Sequence, residues 1–148
     1  MVGFWLALVE MRSQLKASGV WETDHEEVGV KYVTTFVHPV KKNKMDVYLK
    51  TARKFAKLWK EHGALSVTEC VADDVKPGKQ TSFPQSVNLK RTETVAISWV
   101  TFKSRAHRDK VMAAVMGDPR AQKLMNPTDM PSDGHRMFWG GFDAKIIL

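Results

Sequence analysis

Five polar side chains stand out in the sequence against largely apolar neighbours: Glu69, Ser98, His107, Arg108 and Arg136. A carboxylate and a histidine can share general acid–base work on a small substrate, and an arginine can hold a substrate carboxylate in a planar, two-bonded grip. On that chemistry Glu69 and His107 are the catalytic candidates, and Ser98, Trp99, Arg108, Arg136 and Trp139 the binding candidates. Each polar candidate also has a plain structural reading. Glu69 can pair with Arg136 on a neighbouring strand, His107 can sit on a buried helix face bonded to a backbone carbonyl, and Ser98 can be a small residue in a tight sheet.

Other chemistries find less support. His25, His38, His62, His107 and His135 are scattered, with no His-x-x-x-His or Cys-x-x-Cys spacing, so no metal is expected. The lone Cys70 falls in mid-strand, where an inert core thiol is the expectation. No glycine-rich phosphate loop is present, and Gly140-Gly141 lacks the strand–loop–helix context such a loop needs. No cofactor is implied.

The elements that must position these residues follow from hydrophobic periodicity. Val30 to Val40 alternates as a strand, ended by His38-Pro39 because proline cannot continue a ladder. Asn43 to His62 is a helix: Met45, Tyr48, Leu49, Ala52, Phe55, Ala56 and Trp59 make its apolar face, and Gly63 terminates it. Ala64 to Ala72 is a second strand, on which Glu69 shares a face with Leu65, Val67 and Val71, an unusual place for a carboxylate. Residues 73–92 read as an irregular loop, with a turn signal at Lys76-Pro77-Gly78-Lys79. From Glu93 to Phe102 both faces of a third strand are apolar, so it is expected to be interior. Ser104 caps the next helix, Gly117 ends it in a left-handed conformation, and Asp118-Pro119 starts another. After a loop from Asn126 to Gly134, His135 to Ile147 is a last strand, in which Gly140-Gly141 signals a bulge or a close approach.

The order β-α-β-β-α-β is the split βαβ arrangement, an α+β ferredoxin-like domain with a four-stranded antiparallel sheet and two helices on one face. The other sheet face carries large apolar groups. A second copy packed sheet to sheet is the simplest cover, so a homodimer is expected.

The chain's 148 residues suit one domain, and its hydrophobic content of 43% supports a core. One cysteine excludes an internal disulfide and fits a reducing, cytoplasmic setting. No apolar run approaches the roughly 18–20 residues of a membrane span. The opening MVGFWLALVEM has neither the basic flank nor the cleavage site of a signal peptide, so no membrane partner is expected. The net charge of +7 is uneven: residues 1–29 hold five acidic and two basic side chains, a net −3, which leaves +10 on the rest. Much of that lies between Lys41 and Lys60, where it permits polyanion binding but also describes an ordinary solvated helix face.

Several multi-residue motifs carry a family resemblance. WKEHGAL (59–65), ECVADDV (69–75), GKQTSFP (78–84), ETVAISW (93–99), SRAHRDKVMAAVMGDPR (104–120) and MPSDGHRMFWGGF (130–142) resemble the YbaA-like family of bacterial proteins, a domain of unknown function in the dimeric α/β-barrel superfamily. The match runs from about Tyr32 to Asp143, so residues 1–29 are read as an N-terminal extension and residues 30–148 as the barrel domain. The resemblance implies a dimer whose two sheets form a barrel. It implies no reaction, since relatives in the superfamily include monooxygenases, isomerases and haem-binding enzymes.

The leading expectation is a protein that binds a small molecule, or a small cofactor-independent enzyme. RNA binding is the alternative, because the RNA-recognition motif shares this element order and stacks bases on sheet aromatics. Val95 and Ile97, however, stand where a basic and a stacking residue would be needed. A dimer would also bury the same face. A purely structural protein with no site is the third reading.

Overall fold

The computed structural model describes residues 29–126, 128 and 130–148. Apart from Gly29, the expected N-terminal extension lies outside the described residues.

Strand β1 (Tyr32–Lys41) runs through a single helical turn at Lys42–Lys44 into α1 (Met45–Glu61). Strand β2 (Ser66–Val71) follows, then a short helix α2 (Phe83–Ser86), strand β3 (Glu93–Phe102), helices α3 (Arg105–Gly117) and α4 (Pro119–Leu124), and strand β4 (Phe138–Asp143). The sheet order is β2-β3-β1-β4, and every neighbouring pair is antiparallel. No described helix is long and apolar enough to cross a membrane.

Because side chains alternate along a strand, the sheet has two distinct faces. Tyr32 and Phe36 of β1, Val100 and Phe102 of β3 and Val67 of β2 meet Leu58 and Trp59 of α1, Val111 and Val115 of α3 and Ala121 of α4 in the main core. On the opposite face Val37, Val95 and Ile97 pack beneath Ala72, Val87 and Leu89, so the segment after β2 folds back over one end of the sheet. The other end is open: Phe138 and Phe142 of β4 are 46% and 59% exposed. β3 is therefore central, as expected, but only partly covered on this second face.

The caps explain where the helices begin and end. Ser104 accepts the His107 N–H at 3.1 Å and starts α3. Gly63 holds φ at 110°, the left-handed turn expected after α1, and the following Ala64 N–H returns to the Trp59 carbonyl.

Several boundaries differ from those read in the sequence. Proline does not end β1, which continues through Pro39 to Lys41. The Lys42 N–H points to Thr92 on the β3 side, whereas the Lys41 N–H points the other way, to Pro131. Alternation puts the missing N–H of Pro39 on that same outer side. There β4 has already stopped, at the Val37–Phe138 pair, so no ladder bond is lost. Gly117 is not left-handed; it is the last residue of α3. Asp118 makes the break instead. Its N–H closes α3 on Val115, and its carboxylate accepts the Arg120 N–H that opens α4. Residues 73–92 include α2, whose N-cap Ser82 precedes a proline in the first turn. β4 is shorter than His135 to Ile147, because Asp133 draws His135 and Arg136 into a turn. At its other end β4 runs out of partner just beyond Tyr32. Its two glycines keep regular pairing without a bulge, but a Cβ on Gly141 would lie 2.3 Å from the Tyr32 hydroxyl and 2.9 Å from Arg108. The close approach is by side chains.

Candidate functional site

The helix-facing side of the sheet carries a row in which Phe36 of β1, Ser98 of β3 and Glu69 of β2 are successive register partners. His38 lies one step along β1, opposite Ala96. One strand, β3, lies between His38 and Glu69, so two inter-strand spacings put their backbones about 10 Å apart. The residues between them, Ala96 and Ser98, are small, so the two longer side chains lean together over β3. His38 Nε2 comes within 4.0 Å of Glu69 Oε1.

Tyr48, from the first turn of α1, descends onto that pair. It is buried, and its ring meets the His38 ring edge-on with centroids 5.3 Å apart. Its hydroxyl bonds His38 Nε2 at 2.7 Å and donates to Glu69 Oε1. A phenol has one proton. Since Tyr48 gives that proton to Glu69, His38 must donate from Nε2 to the phenol oxygen. Burial above all, and then the bond to Glu69 and its charge, hold the Tyr48 hydroxyl far above the usual phenol range. Tyr48 thus remains a donor at any working pH, joining an imidazole to a carboxylate.

This trio forms one wall of a cavity of about 220 Å³ between the sheet and the helices. Phe36, Phe55, Trp59 and Val100 make the apolar floor and sides. Met116, Met125, Met130 and Met137, from the ends of α3 and α4 and the loop before β4, line the mouth. Methionines adapt their shape readily and suit a lining that must close around different surfaces. Apart from the trio, the polar groups are the hydroxyls of Thr51, Ser98 and Ser132. Among the described residues no group of three His, Cys, Asp or Glu side chains is placed to hold a metal.

Of the residues singled out in the sequence, Glu69 and Ser98 line the cavity. The others lie elsewhere. His107 Nδ1 accepts the Lys103 N–H at 3.2 Å, at the start of α3, and its ring stands edge-on to Phe102. Arg108 is buried against the sheet: it donates to Thr34 at 3.2 Å and to Asp109 at 2.7 Å, with its cation 5.0 Å from the Tyr32 ring centre and 6.0 Å from that of Trp139. Trp139 stacks on Phe36, behind the cavity wall, with ring centres 6.2 Å apart. Trp99 alternates onto the opposite sheet face with Ile97.

Arg136 does not pair with Glu69, because β2 and β4 are opposite edges of the sheet. It forks onto Glu93 at 2.7 and 2.8 Å, bonds Asp133 at 2.8 Å, and donates to the carbonyls of Val87 and Asn88. The Arg136 bonds, helped by the Lys90 N–H and opposed by burial, pull the Glu93 carboxyl down to about 2.

His38 and Tyr48 were not singled out in the sequence. His38 looked like the end of a strand and Tyr48 like one more member of an apolar helix face. The signal that points to them is Glu69 itself: a carboxylate on an apolar strand face needs donors, and the side chains able to supply them lie on the same face and on the helix above.

Comparison with known proteins agrees with the sequence motifs. A family model described as "Protein of unknown function (DUF1428)" matches residues 31–134. The chain is 42% identical over 117 residues to the uncharacterised protein YbaA of Escherichia coli K12, spanning 79% of this chain and 98% of YbaA, and YbaA of Shigella flexneri matches equally. Among solved structures, SnoaB of Streptomyces nogalater, a cofactor-independent oxygenase, superposes with a TM-score of 0.50 over 80% of this chain and 97% of its own, at 14% identity. That likeness is one of fold, an α+β sheet-and-helix layer. The family match and the YbaA identity together place this chain in the DUF1428 family, the YbaA-like proteins.

Proposed function

We propose that the protein is a homodimeric α/β-barrel protein that binds a small molecule in the cavity beneath α1, and that it acts there as a small cofactor-independent enzyme. The observation that carries this reading is the His38–Tyr48–Glu69 chain on the wall of an otherwise apolar cavity. Enclosed apolar space with a few convergent polar groups is the usual form of a ligand site. Glu69 is the proposed proton acceptor, Tyr48 the group that orients and partly shields its charge, and His38 the outer member that relays or returns a proton. Ser98, beside Glu69 in the same row, is a proposed ligand contact. SnoaB supports the reading by fold analogy alone, as a case in which comparable architecture works without a cofactor.

The dimer rests on the open end of the second sheet face, where exposed Phe138 and Phe142 adjoin half-buried Trp99. In this arrangement the partner covers one side of the sheet and the ligand occupies the other. Native mass spectrometry of the purified full chain tests both points. A dimer mass, with or without a small-molecule increment, is expected. A monomer that retains RNA would overturn the barrel reading in favour of nucleic-acid binding on the open face. The site itself is tested with Glu69→Ala, which should weaken capture of any co-purifying molecule while the dimer persists.

A further inference from the structure

We propose, resting on that reading of the cavity, that its ligand is an uncharged, largely apolar molecule of one or two rings whose one essential polar group is a hydrogen-bond donor, a hydroxyl or N–H, presented to Glu69.

The direction of the hydrogen bonds carries the inference. His38 commits its Nε2 proton to Tyr48, and Tyr48 commits its only proton to Glu69. The chain therefore runs one way and ends on a carboxylate, which can only accept. What the trio has left for a ligand is acceptor capacity: the second oxygen of Glu69 and the remaining lone pair of the Tyr48 hydroxyl. Hydroxyls such as Ser98 turn to suit either partner and do not set the polarity. A ligand bearing only acceptors would leave the carboxylate unanswered in an apolar site, which is costly. A donor completes it.

Charge narrows the class further. Among the described residues that line the cavity there is no lysine or arginine, so a carboxylate or phosphate ligand would meet Glu69 with nothing to offset the repulsion. A cationic ligand is disfavoured for a different reason. The cavity walls are apolar, so an ammonium entering it would give up its water for a single carboxylate contact.

Size and shape complete the description. An apolar protein cavity of about 150 Å³ holds benzene, and this one is about 220 Å³. Phe36 and Trp59, tilted 51° to each other with centres 6.4 Å apart, offer ring faces and edges suited to a flat guest.

Isothermal titration of the full-length protein with four probes of one shape tests the inference: 2-naphthol, 2-methoxynaphthalene, 2-naphthoate and 2-naphthylmethylammonium. The expected result is that 2-naphthol binds about ten- to a hundredfold more tightly than the other three, the factor that a hydrogen bond to a charged acceptor supplies. In Glu69→Gln, whose amide both donates and accepts, the naphthol preference over methoxynaphthalene should collapse to within a few-fold. If 2-naphthoate or the ammonium probe binds as well as 2-naphthol, the donor assignment is overturned while the cavity stands as a ligand site. A naphthol preference that survives both Glu69→Gln and Tyr48→Phe also overturns it, since the donor would then be recognised elsewhere. If none of the four binds, the cavity reading falls together with the inference.

Discussion

Two strand carboxylates, Glu93 and Glu69, each lie close to a cationic or potentially cationic side chain, and their settings differ. Glu93 is sealed. Arg136 takes both of its oxygens, the Lys90 N–H takes one again, and the same guanidinium pins the Val87 and Asn88 carbonyls and Asp133. Both oxygens are answered by donors that belong to the fold itself. Glu69 has a single phenol donor and a histidine held at one remove, and it faces open apolar space. Residue types alone do not separate the two. Saturation does: a carboxylate with both oxygens answered fastens the fold, and one with an oxygen to spare beside a void is available to a ligand.

Removing Arg136 should give the largest effect, because it strands a buried charge. Arg136→Ala is expected to cost about 3–5 kcal/mol in urea unfolding, a loss that corresponds to a fall in Tm of roughly 10 °C or more. A loss under about 1 kcal/mol would mean that the Glu93 cluster is no more than a surface pair. Neutralising the carboxylate itself should cost less, about 2 kcal/mol for Glu93→Gln.

That variant also carries a pH signature. The folded Glu93 carboxyl, at about 2, lies below its ordinary value of 4.5. Its contribution is therefore fully present above pH 4.5 and is lost as the pH falls from there toward 2. Stability measured across this window should fall less steeply in Glu93→Gln than in the parent. Identical acid limbs would contradict the sealed pair.

On the cavity side the effects on stability should be smaller and those on binding larger. Tyr48→Phe removes one hydroxyl and should cost about 1–2 kcal/mol, while leaving a 2-naphthol preference, since Glu69 keeps both acceptor oxygens. Glu69→Gln should change stability least, by under about 1 kcal/mol in either direction, since it relieves a charge on an apolar wall as it weakens one hydrogen bond. Should Glu69→Gln destabilise the protein as much as Glu93→Gln, the distinction between the two carboxylates would disappear.

Much of the layout was legible in the sequence because it rests on local rules. The apolar stripe of α1, the Ser104 and Asp118 caps and the positive φ of Gly63 follow from residue type and spacing. Glu69 could be flagged, because a carboxylate on an apolar face breaks the strand pattern. Its partners could not be named, because they depend on which strands are neighbours. With β2 and β4 at opposite edges, Arg136 is out of reach, and His38 arrives across β3 only because Ala96 and Ser98 on that strand are small. Pro39 misled for a related reason: whether a missing N–H matters depends on whether a neighbour is present on that side.

Pro39 has a consequence for how the family can vary. It divides the outer edge of β1 between two occupants. Up to Val37 that edge belongs to β4; past the proline it is taken by the cavity loop, through the Val40–Ser132 bridge and the Lys41–Pro131 bond. Because the proline offers no N–H between them, β4 cannot zip onward and absorb the loop into the sheet. Insertions between Arg136 and Phe138, clear of the Asp133–Arg136–Glu93 cluster, can thus alter the rim that carries Met137 without shifting the register of either attachment. The sheet can stay fixed while the opening of the cavity changes.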